Sequence, residues 1–326
     1  MTISHGNRNA KRRTLGLMFA AAAGALAFSL PSTAAAQEKG VLRIGFQKYG
    51  TLTLLKARGT LDKRLAEQGI EVQWREFPAG PQLLEGLNVG SVDFGTVGEA
   101  PPIFAQAANA NLVYVANEPP APTGEAIILP KNSTIKSVAE LKGKKIALNK
   151  GSNVHYLLVK ALEKAGVAYQ DIQTVYLPPA DARAAFERGS VDAWVIWDPF
   201  LAAAEKQIGA RVLADGKGLV SNHQFYLAAR PYAEKNPAIV KIIIEELAKT
   251  DEWAGKNLKD VTAILAPQLG LEPEVVELAA SRFTYGIKPI SEAVLAEQQK
   301  IADVFSNLKL IPKKITIKDA VLPAKL

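Results

Sequence analysis

The residues best suited to chemistry in this sequence stand where an extended run gives way to a helical one. Gly151-Ser152-Asn153 precedes a helical pattern over 153–165 and joins a residue without a side chain to a hydroxyl and an amide. Free N–H groups at a helix start, beside a hydroxyl and with glycine permitting close approach, make a site for an anion. Ser152, Asn153, Asp181 and Asp198 are also good helix N-cap types, and capping accounts for any one of them taken singly. Similar positions recur after other apolar runs. Gln47, Lys48 and Tyr49 follow the first run, Gly80 and Gln82 the second, and Gly98, Glu99 and Ala100 the third, while Asp181 follows Leu177 and Asp198 follows Trp197. Several such ends converging on one cleft favour binding.

Bond-making chemistry is poorly provided for. There is no Cys nucleophile, and G-x-S-x-G, H-E-x-x-H, Walker A and G-x-G-x-x-G patterns are absent. Ser152 and His155 lie three apart on the expected helix without an acid to orient the ring. His155 reads as a hydrogen-bonding wall residue, and the chain is expected not to be an enzyme, with no metal and no cofactor.

Composition narrows the class. Of 326 residues, 48% are hydrophobic and 22% charged, which excludes a disordered chain and is long enough for about two domains with cores. The start is a leader: Arg8, Lys11, Arg12 and Arg13 precede an apolar run from Leu15 to Leu30, and Ala34-Ala35-Ala36 offers a cleavage site. The run is short for a bilayer span and is broken by Ser29 and Pro31, so 1–36 is expected to be a cleaved signal peptide that exports the chain. Cleavage after Ala36 removes four of the cations behind the formal charge of +7, leaving 290 residues at +3. That gives no nucleic-acid footprint, only mild attraction for small anions.

The same cleavage removes Met1 and Met18, the chain's two Met, so the mature protein contains no sulfur. Ordinary usage would supply on the order of ten Met and Cys. Avoidance of oxidisable side chains outside the cytoplasm is one account. Production in quantity when sulfur is scarce is another.

These candidate groups need elements to hold them. Apolar runs alternate with helical patterns, as parallel sheets require: strands over 41–46, 70–77, 92–96 and 112–116 with helices over 52–66, 81–88 and 101–108 form one series. Pro119, Pro120, Pro122 and Gly124 then interrupt it. A second series follows, with strands over 125–129, 144–148, 172–177, 193–197, 211–214 and 224–228, and a helical tail from Pro237 that should pack back on a lobe. Gly90-Ser91-Val92-Asp93 recurs as Gly189-Ser190-Val191-Asp192, and Glu99 and Asp198 each stand just before a proline. Two similarly built lobes follow from that order of parts. Ligands sit beyond the carboxyl ends of strands in such sheets, so two facing edges make a cleft.

Phe77-Pro78-Ala79-Gly80-Pro81-Gln82-Leu83-Leu84-Glu85, Pro101-Pro102-Ile103-Phe104-Ala105-Gln106-Ala107, Pro179-Ala180-Asp181-Ala182-Arg183-Ala184-Ala185-Phe186, Trp197-Asp198-Pro199 and Phe225-Tyr226-Leu227-Ala228-Ala229-Arg230 resemble the aliphatic sulfonate-binding proteins of bacterial ABC importers, over about 41–312. The resemblance implies an α/β, two-lobed periplasmic binding protein fold of type II, each lobe a mixed, mainly parallel sheet flanked by helices. Lobe one would hold 41–123 plus 226–326, and lobe two 124–225. It further implies a monomeric receptor that captures a small organosulfonate for sulfur acquisition and delivers it to an inner-membrane permease with its ATPase. Relatives in the wider group take taurine or nitrate, and a thiamine-pyrimidine-forming enzyme shares the fold but relies on a Cys-rich segment absent here.

A sulfonate remains a monoanion at any physiological pH, so its site needs donors and no proton acceptor. Gln47, Gly98, Ala100, Ser152 and Asn153 are expected to supply donors, and Tyr49, His155, Trp197 and Phe225 to wall the carbon tail, with Gly80 and Asp181 in flanking loops. Glu99 and Asp198 sit awkwardly beside an anion unless they cap helices, hold a water or meet an amino group on the substrate. If sulfur economy explains the composition, the amount of this protein should rise when sulfate is withdrawn from the medium. An immunoblot showing indifference to sulfate would remove that argument.

Overall fold

The structure is a computed structural model describing residues 40–48 and 50–322; the expected leader over 1–36 and Tyr49 lie outside the described residues. The first lobe runs β1 (Gly40–Phe46), α1 (Gly50–Arg58), α2 (Thr60–Ala66), β2 (Ile70–Glu76), α3 (Gly80–Asn88), β3 (Phe94–Gly98), α4 (Pro101–Ala107) and β4 (Leu112–Asn117). The single helix expected over 52–66 is divided at Gly59, whose φ of 65° no helix continues through.

Residues 118–124 cross to the second lobe, which holds β5 (Glu125–Leu129), β6 (Lys145–Leu148), α5 (Asn153–Lys164), β7 (Gln173–Tyr176), α6 (Pro179–Glu187), β8 (Ala193–Trp197), α7 (Phe200–Ile208) and β9 (Arg211–Asp215). Residues 216–223 cross back into β10 (Gln224–Ala229). The tail follows as α8 (Arg230–Lys235), α9 (Pro237–Ala254), α10 (Leu258–Leu269), α11 (Pro273–Ser281), β11 (Lys288–Pro289) and α12 (Glu292–Asn307).

The sheets have the orders β2-β1-β3-β10-β4-β11 and β7-β6-β8-β5-β9. In the first, β1, β2, β3 and β4 point one way while β10 and the two-residue β11 oppose them. In the second, β5 alone is reversed. Each sheet is therefore mixed with a parallel majority, and the cause is topological. Both crossings leave from the carboxyl edge of one sheet and enter the other at its carboxyl edge, so the first strand after each crossing must run backwards.

Helices cover both faces of the first sheet. Leu42, Ile44, Phe94 and Tyr226 meet Leu52, Leu55, Ile243 and Leu247 on one side, while Val97 and Leu227 meet Leu83, Ile103 and Phe305 on the other. The second sheet buries Ile127, Ile146, Trp194 and Val195 against Val154, Leu157, Phe186 and Leu201. Each such side chain taken from water contributes about 1.5–3 kcal/mol.

The internal repeat is structural. Asp93 Oδ2 accepts from Arg43 N at 2.8 Å while Asp93 N donates to Arg43 O at 2.8 Å. Asp192 does the same with Lys145, at 2.8 Å each way. These reciprocal bonds consume Asp93 in pairing with β1, and β3 accordingly starts at Phe94, two residues later than its apolar pattern alone predicts. The tail also departs from expectation. α9 and α12 pack on the first lobe, but Val275 of α11 lies against Ala202 and Ala203 of α7 in the second, because those small residues leave room for it.

The crossings pair with each other. Glu118 N donates to Gln224 O, Ala121 N to Ser221 O and Gly216 N to Pro122 O, at 2.9–3.0 Å. A Cβ on Gly216 would come within 2.4 Å of the Pro122 carbonyl oxygen, which is backbone and cannot turn aside. Gly216→Ala is expected to destabilise the fold by about 1–3 kcal/mol, read as a lower urea midpoint with an unchanged slope.

Candidate functional site

The carboxyl ends of both sheets face a narrow cavity lined by Gln47, Gly80, Gly98, Pro101 and Gln224 from the first lobe's sheet and helices, and by Ser152, Asn153 and Trp197 from the second. None of these side chains carries a charge. What they present instead are amides, backbone N–H groups and an indole wall.

α5 aims its amino end into this cavity. A helix leaves its first four N–H groups without intrahelical partners and carries partial positive charge there. Ser152 N donates to Asn149 O and His155 N to Ser152 O, and the N–H groups of Asn153 and Val154 between them have no carbonyl partner. α4 opposes it but begins Pro101-Pro102, two residues without an N–H, so it brings little donor capacity. The first lobe compensates with amide side chains. Gln47 Nε2 donates one hydrogen to Thr96 O at 3.1 Å and keeps a second, and Gln224, at the reversed entry of β10, lines the cavity with its side chain unpaired.

Gly98 lets the lobes touch, since a Cβ there would stand 2.8 Å from Asn153 Cγ and Oδ1. Asn153 is more than a donor at the cleft. Both hydrogens of Nδ2 are engaged, one to Glu125 Oε2 at 2.6 Å and one to Asn222 Oδ1 at 2.8 Å. Its side chain ties the second lobe's helix to the two crossings, leaving its backbone N–H for a ligand. The Ser152 hydroxyl likewise donates to Asn149 O at 2.7 Å, so it reaches a ligand as a donor only by giving up that bond.

Several expected residues stand elsewhere. Glu99 is fully buried behind the cavity, where Oε2 accepts from His223 N at 3.0 Å and holds the second crossing. Ala100 is buried at the start of α4 and does not line the cavity. Asp198 Oδ1 caps α7 by accepting from Ala202 N at 3.0 Å and lies 3.4 Å from Arg282, so it faces away from any ligand. Asp181 is exposed in the first turn of α6 and does not line the cavity. Phe225 is core, edge-on to Tyr114 at 5.1 Å, because strand alternation turns Gln224 to the cavity and Phe225 away from it.

His155 is also not a cleft wall. Gly151 N donates to its Nδ1 at 3.2 Å, so the proton sits on Nε2 and points to Tyr169 Oη at 2.7 Å. The ring packs between Phe104 and Phe305 of the first lobe, and burial pushes its pKa down to about 3. With the Ser152 hydroxyl bonded to a carbonyl, the pair has none of the geometry of a nucleophile and its base.

Glu125 and Asn222 were not identified as site residues from sequence; the one available signal was an acid opening an otherwise apolar strand, Glu125 to Leu129. Burial, aided by the neighbouring Glu99, raises Glu125 well above the ordinary carboxyl range, with Asn153 opposing. Burial likewise pushes Glu99 up to about 8. Glu99 is thus held protonated near neutrality, and the same burial favours the neutral form of Glu125, which lessens repulsion of an anion in front of them.

These protons leave a mark on stability. The unfolded chain releases the Glu99 proton above 4.5, but the folded chain keeps it to about 8. The stability it confers is complete below the first value and is lost as pH rises through the second. Asp198, raised to about 7 by burial against the opposing Arg282, acts in the same sense. His155 acts oppositely, its contribution full above 6.5 and lost as pH falls toward 3. Glu99→Gln is expected to flatten the decline in melting temperature between about pH 5.5 and about pH 8.5. Parallel declines in the variant and the parent would place the titration elsewhere.

Comparison with known proteins gives a consistent picture. Residues 65–257 match the family model described as NMT1/THI5 like. A putative aliphatic sulfonates-binding protein of Escherichia coli K12 is 48% identical over 303 residues, covering 92% of this chain and 94% of that protein. The alkanesulfonate-binding protein SsuA of Xanthomonas axonopodis pv. citri, solved bound to MOPS, superposes with a TM-score of 0.84 at 42% identity, covering 89% of this chain and all of that one. The periplasmic aliphatic sulphonate binding protein SsuA of Escherichia coli gives 0.78 at 48%, covering 88% and 93%.

Proposed function

The chain belongs to the NMT1/THI5-like family and, within it, to the aliphatic sulfonate-binding proteins, and from that membership we propose that it is the substrate-binding component of an ABC importer, capturing an organosulfonate between its lobes in the periplasm as a monomer and passing it to a permease and its ATPase. The observation that carries this reading is the uncharged, donor-lined cleft at the amino end of α5. A sulfonate spreads one permanent negative charge over three weakly basic oxygens. It calls for N–H donors and a helix field, with no base to take a proton and no cation to neutralise it.

Gln47 and Gln224 supply side-chain donors from one lobe, and Asn153 and Val154 supply backbone N–H groups from the other. Trp197 and Pro101 give the cleft apolar surface that nitrate or sulfate has no carbon to use. Closure follows from the division of donors. Only with the lobes together does the anion meet both sets, so the ligand favours the closed state by its differential affinity. A chain without sulfur after Met18 suits a protein that gathers sulfur.

Titration calorimetry of the mature chain with methanesulfonate, longer alkanesulfonates, taurine, nitrate and sulfate tests the reading. Alkanesulfonates are expected to bind at least about tenfold more tightly than nitrate or sulfate, or about 1.4 kcal/mol. Tight nitrate binding with no heat from any sulfonate would overturn it.

A further inference from the structure

A second, apolar chamber is lined by residues of the same two loops that flank the donor cleft. Its walls are Leu54 of α1, Leu265 and Leu269 of α10, Val276 and Ala280 of α11, and Phe283. Its rim carries Lys48 and Pro199. Lys48 follows Gln47 of the cleft and Pro199 stands two residues after Trp197, so the two spaces open off the same loops, those after β1 and β8. No acid lines the chamber, and apart from Lys48 and Tyr285 its lining is apolar.

The chamber's far wall is the α10–α11 hairpin, which belongs wholly to neither lobe. Leu54 of the first lobe packs into the hairpin's core, while Val275 packs on α7 of the second. Arg282, just past α11, fixes Asp198 at 3.4 Å and Glu205 at 2.6 Å. Asp198 is the residue between Trp197 of the cleft and Pro199 of the chamber. The contact that docks the hairpin on the second lobe thus also sets the loop that both spaces share.

Resting on the reading of the cleft as the sulfonate site, we propose that this chamber receives the end of the same molecule's carbon chain and that the α10–α11 hairpin sets the preferred tail length. The charged head lies against α5 and the amides of Gln47 and Gln224, and the tail passes between Lys48 and Pro199. The free volume of about 40 Å³, against roughly 10–15 Å³ on the same measure for one water, takes two or three carbons. Affinity is therefore expected to climb with chain length and then level off once the chamber is full.

The experiment is calorimetric titration of the mature chain with methane-, ethane-, propane-, butane-, hexane- and octanesulfonate. Over the carbons that enter the chamber, affinity is expected to rise about fourfold per methylene, the equivalent of its burial. Ala280→Leu fills the chamber and is expected to abolish that rise. Leu269→Ala enlarges it and is expected to move the plateau to longer tails; the two opposite changes protect the test should one variant fold poorly, which its melting temperature reports. Equal affinity for all tails in the parent chain, or the same length profile in both variants, overturns the chamber's role while leaving the cleft's. No binding of any sulfonate, methanesulfonate included, overturns the reading of the cleft itself.

Discussion

Asn153 stands at the first position of α5, and its amide hydrogens go to Glu125, the residue of β5 directly after the first crossing, and to Asn222 in the second crossing. The rest of the site follows from that attachment. It fixes the helix whose unsatisfied N–H groups face the cavity, and it does so from the one part of the molecule that both lobes share. Gly98 completes the constraint, since any side chain there would push Asn153 off the end of β3. The helix end, the crossings and the first sheet are thus held in register by one amide and one missing Cβ.

That arrangement explains how carboxyl groups come to back an anion site. Glu99 and Glu125 hold the crossings through hydrogen bonds from His223 and Asn153, a task for acceptor oxygens. Burying them without cationic partners would be costly if they were ionised, and the folded chain avoids the cost by retaining their protons. The cleft in front stays electrically neutral, and attraction for the ligand comes from oriented dipoles. An arginine would attract a sulfonate more strongly, but oriented dipoles leave less charge to separate when the lobes part.

Much of this was legible in the sequence. The recurrence of Gly90 to Asp93 at Gly189 to Asp192 announced two like lobes, and both aspartates make the same reciprocal pair with their sheets. Gln47, Gly80, Gly98, Ser152, Asn153 and Trp197 were singled out because loops beyond parallel strands are where ligands lie, and these six line one cavity. The failures share a cause. Strand direction cannot be read from an apolar run, so the reversal of β10, which brings Gln224 to the cleft and turns Phe225 inward, was invisible, as was the backward-facing strand start at Glu125. Asp181 follows an outer strand just as Gly80 does, and nothing in the local pattern separates a helix start that is exposed from one that lines the cavity. His155 has a partner in Tyr169, 14 residues on, and a neighbour in Phe305, 150 residues on, and no local pattern predicts the second meeting.

The two prolines that open α4 give the grip a temporal order. Lacking N–H groups there, the first lobe would hold an anion through the side chains of Gln47 and Gln224, outside any helix field. The second lobe brings a helix terminus whose field is fixed in the backbone. Residence time is then governed by when that terminus withdraws, and a membrane partner that pries the lobes apart need dismantle only one of the two holds for the solute to leave.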